Sequence, residues 1–212
     1  MARRRRRLFA RWYPSAAAPL EERGLGEQRA RLLAPLSGRV LELGCGFGAN
    51  FEHYPQAVTE LVAVEPEPHF RELSQRRAAE LRWNVAVVAG TAESLPVESG
   101  SFDAVVATAV LCSVGDQAKA LAEVDRVLRP GGTLVCFEHV GSANRAARFG
   151  EQIVDAVLWT HLNGGCHLSR NTLDAIAKAG FATDRMRIER FGFLPFPTRF
   201  SPHLVGAAVK PG

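Results

Sequence analysis

The sequence contains no long apolar stretch. None of its apolar runs approaches the roughly 20 consecutive residues that a membrane-spanning helix needs. The apolar core of a secretory signal peptide is also missing, because Leu8, Phe9 and Ala10 are followed at once by Arg11. These two absences argue against a membrane-spanning protein and against a secreted one.

Cysteine is scarce and widely spaced. Cys45 lies in a glycine-rich segment, Cys112 and Cys136 lie in strand-like apolar runs, and Cys166 follows two glycines. None of the four forms a Cys-x-x-Cys pair. This pattern predicts reduced thiols with a packing role in a cytoplasmic protein, without a disulfide or a metal site. A metal or arsenic site built from three cysteines is an alternative that no sequence spacing supports.

The basic charge is confined to the start of the chain. The net charge is +4, and residues 3–7 are five consecutive arginines. Without them lysine plus arginine falls from 26 to 21, against 22 acidic residues, so we expect no nucleic-acid binding by the folded part. The arginines predict a solvated, disordered start. Together with Phe9, Trp12 and Tyr13, they alternatively predict a weak contact with an anionic membrane surface.

Length and element order predict one α/β domain. We expect residues 1–19 to form a basic N-terminal arm, extended or folded as a short lid, and residues 20–212 to form a single domain. Strands and helices alternate, which predicts a parallel sheet with helices on both faces. Strands are predicted at 39–43, 61–65, 84–89, 102–108, 133–138, 182–190 and 204–209, and helices at 20–36, 68–83, 116–128, 149–162 and 169–179.

A glycine-rich turn follows the first predicted strand. Gly44, Gly46 and Gly48 carry no side chains, so a ligand can lie directly on the backbone. A helix start is predicted at residues 49–53, where free amide groups would face the same place. Strand, glycine turn and helix together are typical of a nucleotide-binding α/β sheet.

Two acidic residues distinguish the class of ligand. Glu42, just before the first glycine, would repel a pyrophosphate and suits a positively charged ligand without phosphate, such as S-adenosylmethionine. Its alternative role is a strand-end acid that caps loop amides. Glu65 lies 21 positions after Gly44, the spacing of an acid that binds both ribose hydroxyls. Its alternative role is a helix N-cap, since Pro66 and Glu67 suit a first helical turn.

These motifs resemble the class I S-adenosylmethionine-dependent methyltransferases. Residues 42–48, Glu-Leu-Gly-Cys-Gly-Phe-Gly, look like the first motif of that family, and Glu65 like its ribose-binding acid. Residues 90–96, with 101–103 behind them, are similar to the adenine loop and fourth strand, and residues 128–132 to the turn before strand five. The resemblance implies S-adenosylmethionine as cofactor and a Rossmann-like, doubly wound, seven-stranded sheet, mostly parallel with the last strand antiparallel.

A narrower resemblance leads to the alkyl-thiol S-methyltransferases of animal membranes. Those enzymes begin with a hydrophobic membrane anchor, where this chain has its five arginines. The matching segments are residues 46–51, 54–55, 110–114, 138–140, 164–170 and 202–206.

The family resemblance also implies site residues. Methyl transfer from a sulfonium requires orientation and exclusion of water, and a free thiol is already partly ionised at neutral pH, so a dedicated base is optional. His139 follows the fifth strand at the ligand-binding edge and is the candidate base, with a structural loop histidine as the alternative. The implied cofactor-binding residues are Glu42, Gly44, Cys45, Gly46, Gly48, Asn50, Glu65, Pro66, Thr91, Ala92, Glu93 and Thr108.

The resulting functional hypothesis is methylation of a small molecule by a class I enzyme, with an alkyl thiol as the acceptor. One alternative is C-, O- or N-methylation of a quinone, a lipid amine or another small molecule. A further alternative is a protein that binds S-adenosylmethionine without turnover. The sequence leaves the oligomeric state open.

Overall fold

The computed structural model describes residues 2–192, 194 and 201–212, with side chains from residue 7 onward. The chain begins with α1 (Ala2–Leu20), a π-helical turn (Glu21–Leu25) that is broken by a kink at Gly24, where φ is 129°, and α2 (Gly26–Leu33). The following elements are β1 (Gly38–Leu43), a 3₁₀ turn (Phe51–His53), β2 (Val58–Val64), α3 (Pro68–Glu80), β3 (Val85–Val88), β4 (Phe102–Thr108), α4 (Gln117–Val127), β5 (Leu128–His139), α5 (Arg145–Val154), a second π-helical turn (Asp155–Trp159), α6 (Thr160–Leu162), α7 (Thr172–Lys178), β6 (Ala182–Glu189) and β7 (His203–Val209).

The strands form one seven-stranded sheet in the order β3-β2-β1-β4-β5-β7-β6. Strands β1 to β5 run parallel, and β7 is antiparallel to both β5 and β6. This confirms the predicted doubly wound sheet with its last strand reversed. The order of the strands reverses between β1 and β4, and in such sheets ligands bind at the carboxyl ends of the strands at this point.

Alternating side chains of the central strands enter two separate cores. Leu41 and Leu43 of β1 pack into the core on one face, while Val40 packs into the core on the other. Both faces are covered, so consecutive residues of β1 and β4 are buried, rather than every second residue. Glu42, on the same side as Val40, is the exception within β1, and its burial requires polar partners.

The N-terminal segment is helical, so the expectation of an extended arm is wrong. Arginine and alanine favour a helix, and the segment keeps this conformation despite Pro14 and Pro19 because one side of it is covered. Ala10 and Ala17 are fully buried, so the later part of this helix packs against the rest of the domain. The solvated start is predicted for the arginine run, and the side chains of residues 3–6 lie outside the described part of the chain. Among the described residues, no helix has the length and apolar content needed to cross a lipid bilayer.

Two local predictions differ in detail from the structure. The helix start expected at residues 49–53 is only a 3₁₀ turn, because Tyr54 precedes a proline and is held in an extended conformation. The turn expected at residues 128–132 lies within β5 as an irregularity, where the register with β4 shifts and Gly131 has a positive φ of 74°.

The helix predicted at residues 149–162 is longer and spans three consecutive segments, from Arg145 to Leu162. Asn144 caps its start by accepting hydrogen bonds from the amides of Ala146 and Ala147. We call residues 145–162 the roof helix.

Candidate active site

A cavity of about 640 Å³ opens at the carboxyl ends of β1, β2, β4 and β5. This volume lies in the range of small-molecule sites. Helix α1 covers one side through Phe9, Trp12 and Tyr13, which agrees with the lid interpretation of the N-terminal segment. The roof helix and the loop after it contribute Trp159, Asn163, Gly164 and Cys166.

Most of the predicted site residues meet at this cavity. Gly48 does not line it, because the position of its missing side chain is taken by the ring of Phe51, 2.9 Å from where a Cβ would lie. The predicted residues that do line the cavity are Glu42, Gly44, Cys45, Gly46, Asn50, Glu65, Pro66, Thr91, Ala92, Glu93, Thr108 and His139.

The glycine turn leaves its floor open for a ligand. Gly44 and Gly46 both have φ of 55°, a left-handed conformation that other residues rarely adopt. A Cβ on Gly44 would lie 2.8 Å from the side chain of Val110, whereas a Cβ on Gly46 would meet nothing within 4 Å. A side chain at Gly46 would therefore occupy the cavity itself, so this position fits a cofactor that lies against the backbone.

Glu65 is buried and held from two sides. Its Oε2 accepts a hydrogen bond from the amide of Gly46 at 3.0 Å, and its Oε1 accepts one from the amide of Glu67 at 2.8 Å. Burial raises the pKa of Glu65. The helix-cap interpretation of Glu65 is wrong, because Glu67 caps α3 by accepting from the amide of Phe70. Each carboxylate oxygen retains a lone pair for a ribose hydroxyl.

Glu42 lies at the centre of a buried polar network. Its two oxygens accept hydrogen bonds from Asn50 Nδ2 and from the hydroxyl of Tyr54, both at 2.9 Å. Asn50 Oδ1 in turn accepts from Arg29, which pairs with Glu21 at 3.1 Å. These donors are side chains, not the loop amides that the alternative interpretation of Glu42 expects. Burial raises the pKa of Glu42 from 4.5 to about 7.

The predicted adenine loop and β4 are tied to neighbouring loops. Glu93 Oε1 accepts from the amide of Gly115 at 2.8 Å, which joins the loop after β3 to the loop after β4. Thr108 Oγ1 accepts from Asn50 Nδ2 at 3.1 Å. Cys45 is buried beside the turn, with its Sγ 3.9 Å from the carbonyl of Gly46.

Glu138 is a positioning residue that is not among the predicted site residues. It is fully buried, and its carboxylate accepts hydrogen bonds from the amides of Val110, Leu111 and Cys112 at 2.8–3.0 Å. Burial raises the pKa of Glu138 from 4.5 to about 7. The signal in the sequence was an acid directly after the apolar run of β5. Arg29, also missed, carries no comparable signal because it lies among other charged residues.

His139 lies in the cavity wall beside two cysteines. Its Nδ1 is 3.4 Å from Cys166 Sγ and 3.9 Å from Cys112 Sγ, and the two sulfur atoms are 3.4 Å apart. A hydrogen bond from Cys112 lowers the pKa of the Cys166 thiol, and the same bond and burial raise the pKa of Cys112. Burial lowers the pKa of His139, but Cys166, Glu138 and Asp155 together raise it by more, and the net shift is upward.

Comparisons with known proteins agree with this geometry. The model of a methyltransferase domain matches residues 41–136. Thiol S-methyltransferase TMT1B of Homo sapiens is 39% identical over 186 residues, which cover 84% of this chain and 74% of that protein. Thiol S-methyltransferase TMT1A of Homo sapiens is 37% identical over 175 residues, covering 81% and 70%.

Two solved structures share the fold at low sequence identity. A SAM-dependent methyltransferase from Thermotoga maritima superposes with a TM-score of 0.70 at 22% identity, over 96% of this chain and 99% of that one. A geranyl diphosphate methyltransferase in complex with SAM gives 0.69 at 20% identity, over 89% and 85%.

The fold and the cavity define a class I methyltransferase that uses S-adenosylmethionine. Within this class, the chain belongs to the family of the thiol S-methyltransferases.

The assigned role of Glu65 can be tested by the substitution Glu65→Ala. We expect at least tenfold weaker binding of S-adenosylmethionine in calorimetry, because charge-assisted hydrogen bonds contribute roughly 1.5–3 kcal/mol each. Glu60→Ala removes an exposed acid on β2, the strand that Glu65 directly follows, and is the control that should bind normally. Unchanged affinity of the Glu65 variant would show that the ribose lies elsewhere.

The buried charge of Glu42 predicts a pH dependence of stability. Its pKa is higher in the folded chain than the ordinary 4.5, so folding is favoured by its protonation and loses stability as pH rises from about 4.5 through 7. Glu42→Gln should remove this loss, which amounts to up to about 3 kcal/mol at pH 8. Urea unfolding of both proteins without cofactor at pH 5 and pH 8 measures the difference.

Glu138 titrates in the same range in both proteins, so the comparison isolates Glu42. If wild type and Glu42→Gln lose the same free energy of unfolding between pH 5 and pH 8, the upward shift assigned to the pKa of Glu42 is wrong.

Proposed function

We propose that this enzyme transfers the methyl group of S-adenosylmethionine to the sulfur of a small alkyl thiol. The names and 37–39% identity of the relatives support a thiol acceptor. The observation that carries the proposal is the composition of the cavity opposite the glycine turn. Its wall is largely aromatic and aliphatic, and its polar groups include His139 and Cys166 beside the roof, which suits an apolar body that ends in sulfur. Asn163 and His203 also line this side of the cavity.

The chain binds and orients both reactants. The glycine turn and Glu65 hold the cofactor, which supplies a methyl group on a positively charged sulfur. A thiol has a pKa of about 8.5, so part of it is ionised at neutral pH and the protein needs no strong base. Rings from α1 and the roof helix exclude water from the space between the reactants.

His139 is the residue we place next to the acceptor sulfur. It ends β5 at the ligand-binding edge, and its ring contacts the cavity, Cys166 and, at a centroid distance of 6.5 Å, Trp159. The thiol proton therefore has this imidazole as a neighbour, as expected for the candidate base.

The proposal predicts a methyl thioether as the product. The purified enzyme would be incubated with S-adenosylmethionine and a matched panel of an alkyl thiol, a phenol and an amine of similar size, and the products identified by mass spectrometry. We expect methylation of the thiol at least tenfold faster than of the others. Glu65→Ala, with a wild-type circular dichroism spectrum, is the control for cofactor-dependent turnover.

The other results each decide against the proposal. A methylated phenol or amine as the main product would assign a different acceptor. Cofactor binding without any methylated product would favour a binding protein without turnover.

A face on the outside of the molecule supports the expected contact with a membrane surface. Phe149, Ile153 and Val157 lie four residues apart along the roof helix and are 64%, 50% and 70% exposed. Leu8 and Trp12 extend this apolar surface onto α1, which packs against α6. We call these five residues the apolar face.

Basic residues accompany the apolar face. Arg7 and Arg11 are exposed on α1, and the arginine run begins one turn earlier, at residues whose side chains lie outside the described part of the chain. Apolar side chains combined with arginines fit an anionic bilayer surface, to which each basic residue contributes about 1 kcal/mol. We place the enzyme in the cytoplasm on such a surface, and its four free cysteines fit that reducing compartment.

The membrane contact predicts cosedimentation with vesicles of phosphatidylserine and phosphatidylcholine, and weaker binding to phosphatidylcholine alone. Phe149→Ser combined with Val157→Ser should weaken binding at least tenfold, because two apolar side chains lose their burial in the interface. Ile188→Ser, which removes an exposed apolar residue on β6, is the matched control. Equal binding of the double variant and wild type would exclude the apolar face as the contact.

A further inference from the structure

Three side-chain atoms that could bind a metal ion lie close together at the cavity wall beside the roof helix. Cys112 Sγ and Cys166 Sγ are 3.4 Å apart, and His139 Nδ1 lies 3.4 Å from Cys166 Sγ and 3.9 Å from Cys112 Sγ. Within the described residues, this is the one group of three or more cysteine, histidine or acidic side chains close enough to hold a metal ion. We call it the Cys-Cys-His cluster.

The spacing of the cluster matches three corners of a zinc tetrahedron. Zinc binds sulfur at about 2.3 Å and imidazole nitrogen at about 2.0–2.1 Å, so two sulfur ligands lie about 3.8 Å apart and sulfur and nitrogen ligands about 3.6 Å apart. The three observed separations of 3.4, 3.4 and 3.9 Å therefore need shifts of only about 0.4 Å or less. A disulfide would require the sulfur atoms to close to about 2.05 Å.

Hydrogen bonds hold each loop of the cluster before any ion binds. Glu138 accepts from the amide of Cys112 at 3.0 Å, and the carbonyl of Cys112 accepts from the amide of His167 at 2.9 Å. Asp155 of the roof helix accepts from the amide of Leu168 at 2.8 Å. These contacts join the loops that carry the two cysteines, as expected of residues that orient metal ligands.

We propose that the Cys-Cys-His cluster binds one zinc ion whose fourth position is open to the cavity. His139 and Cys166 line the cavity, so an ion held by these two residues would be accessible to a ligand in the cavity. Two cysteines, one histidine and an open position are a ligand set of catalytic zinc sites, and thiolate and imidazole ligands select zinc over hard cations. If the acceptor is the thiol of the proposed function, its sulfur is the fourth ligand.

The zinc ion changes how the acceptor is activated. As the thiol binds, its S–H bond breaks, the proton leaves to solvent, and a sulfur electron pair forms the zinc–sulfur bond. In the transfer, a second electron pair of this sulfur forms the bond to the methyl carbon, and the bond from the methyl carbon to the sulfonium breaks with its pair remaining on the cofactor sulfur. The thioether product carries no charge and leaves the zinc. His139 is then a zinc ligand and not the base.

The metal site is tested first without cofactor or acceptor. The enzyme, kept reduced with a phosphine, is analysed for metal content and titrated with Co²⁺, which gives a thiolate-to-metal charge-transfer band and the intense visible bands of a tetrahedral site. We expect one ion per chain and displacement of Co²⁺ by Zn²⁺. No bands on titration, or a disulfide between Cys112 and Cys166 that persists in the presence of the phosphine, would overturn the proposal.

Variants assign the ligands. Cys112→Ser and Cys166→Ser should each weaken Co²⁺ binding by roughly a hundredfold or more, because a thiolate ligand is lost. Cys136→Ala, which removes a buried cysteine outside the cluster, should bind Co²⁺ as wild type does. Circular dichroism establishes that each variant is folded. Undiminished binding by both cluster variants would place the ion elsewhere and overturn the assignment, and the wild-type titration stands even if a variant does not fold.

Addition of ethanethiol to the Co²⁺ enzyme tests the fourth position separately. We expect a stronger charge-transfer band as a third thiolate binds, and an unchanged spectrum would overturn the open position. Failure of thiol methylation, with Co²⁺ bands present, would reject the proposed function and leave the metal site intact. Methylation at full rate by metal-free enzyme would reject the catalytic role of zinc and leave the proposed function intact.

Discussion

Three buried carboxylates at the carboxyl edge of the sheet hold the cavity in shape. Glu42 fixes Asn50 and Tyr54 beside β1, Glu65 fixes Gly46, and Glu138 fixes the loop after β4 through three amides. A carboxylate buried without donors costs several kcal/mol, so the loops around each acid are held in the conformation that supplies its hydrogen bonds. The polar groups of the site are therefore already paired within the fold, and a ligand enters a cavity whose wall is preorganised.

The same carboxylates select the charge of the ligand. Burial raises the pKa values of Glu42 and Glu138 to about 7, which means that ionising either acid is costly inside the fold. A cationic ligand at the cavity lowers this cost by Coulomb attraction, whereas a pyrophosphate would raise it. The glycine turn alone would fit a dinucleotide, and the buried acids explain why this cavity suits a cofactor with a sulfonium and an ammonium.

Local sequence patterns were sufficient for the sheet and the cofactor side. Apolar runs marked the strands, and the glycine spacing with Glu65 marked the floor of the cavity, because these features lie within one continuous segment. The Cys-Cys-His cluster could not be predicted in this way. His139 lies 27 residues after Cys112 and 27 residues before Cys166, and the three residues meet only through the strand order of the folded sheet. Helix α1 was missed because its prolines indicate an extended segment, whereas packing over the cavity favours a helix.

Helix α1 connects the cavity with the outer surface. The rings of Phe9 and Tyr13 stack at 4.6 Å, and Tyr13 reaches Phe47 of the glycine turn at 6.0 Å, while Leu8 and Trp12 are exposed. The proposed contact with a bilayer would therefore also hold α1 over the cofactor, because the same short helix carries both surfaces. An apolar thiol dissolved in the bilayer would reach the cavity beneath this helix without first crossing water. Methyl transfer from a sulfonium to a thiolate is faster when neither sulfur is hydrated. Covering the cavity with α1 and taking the acceptor from the bilayer would therefore both keep water away from the reacting atoms.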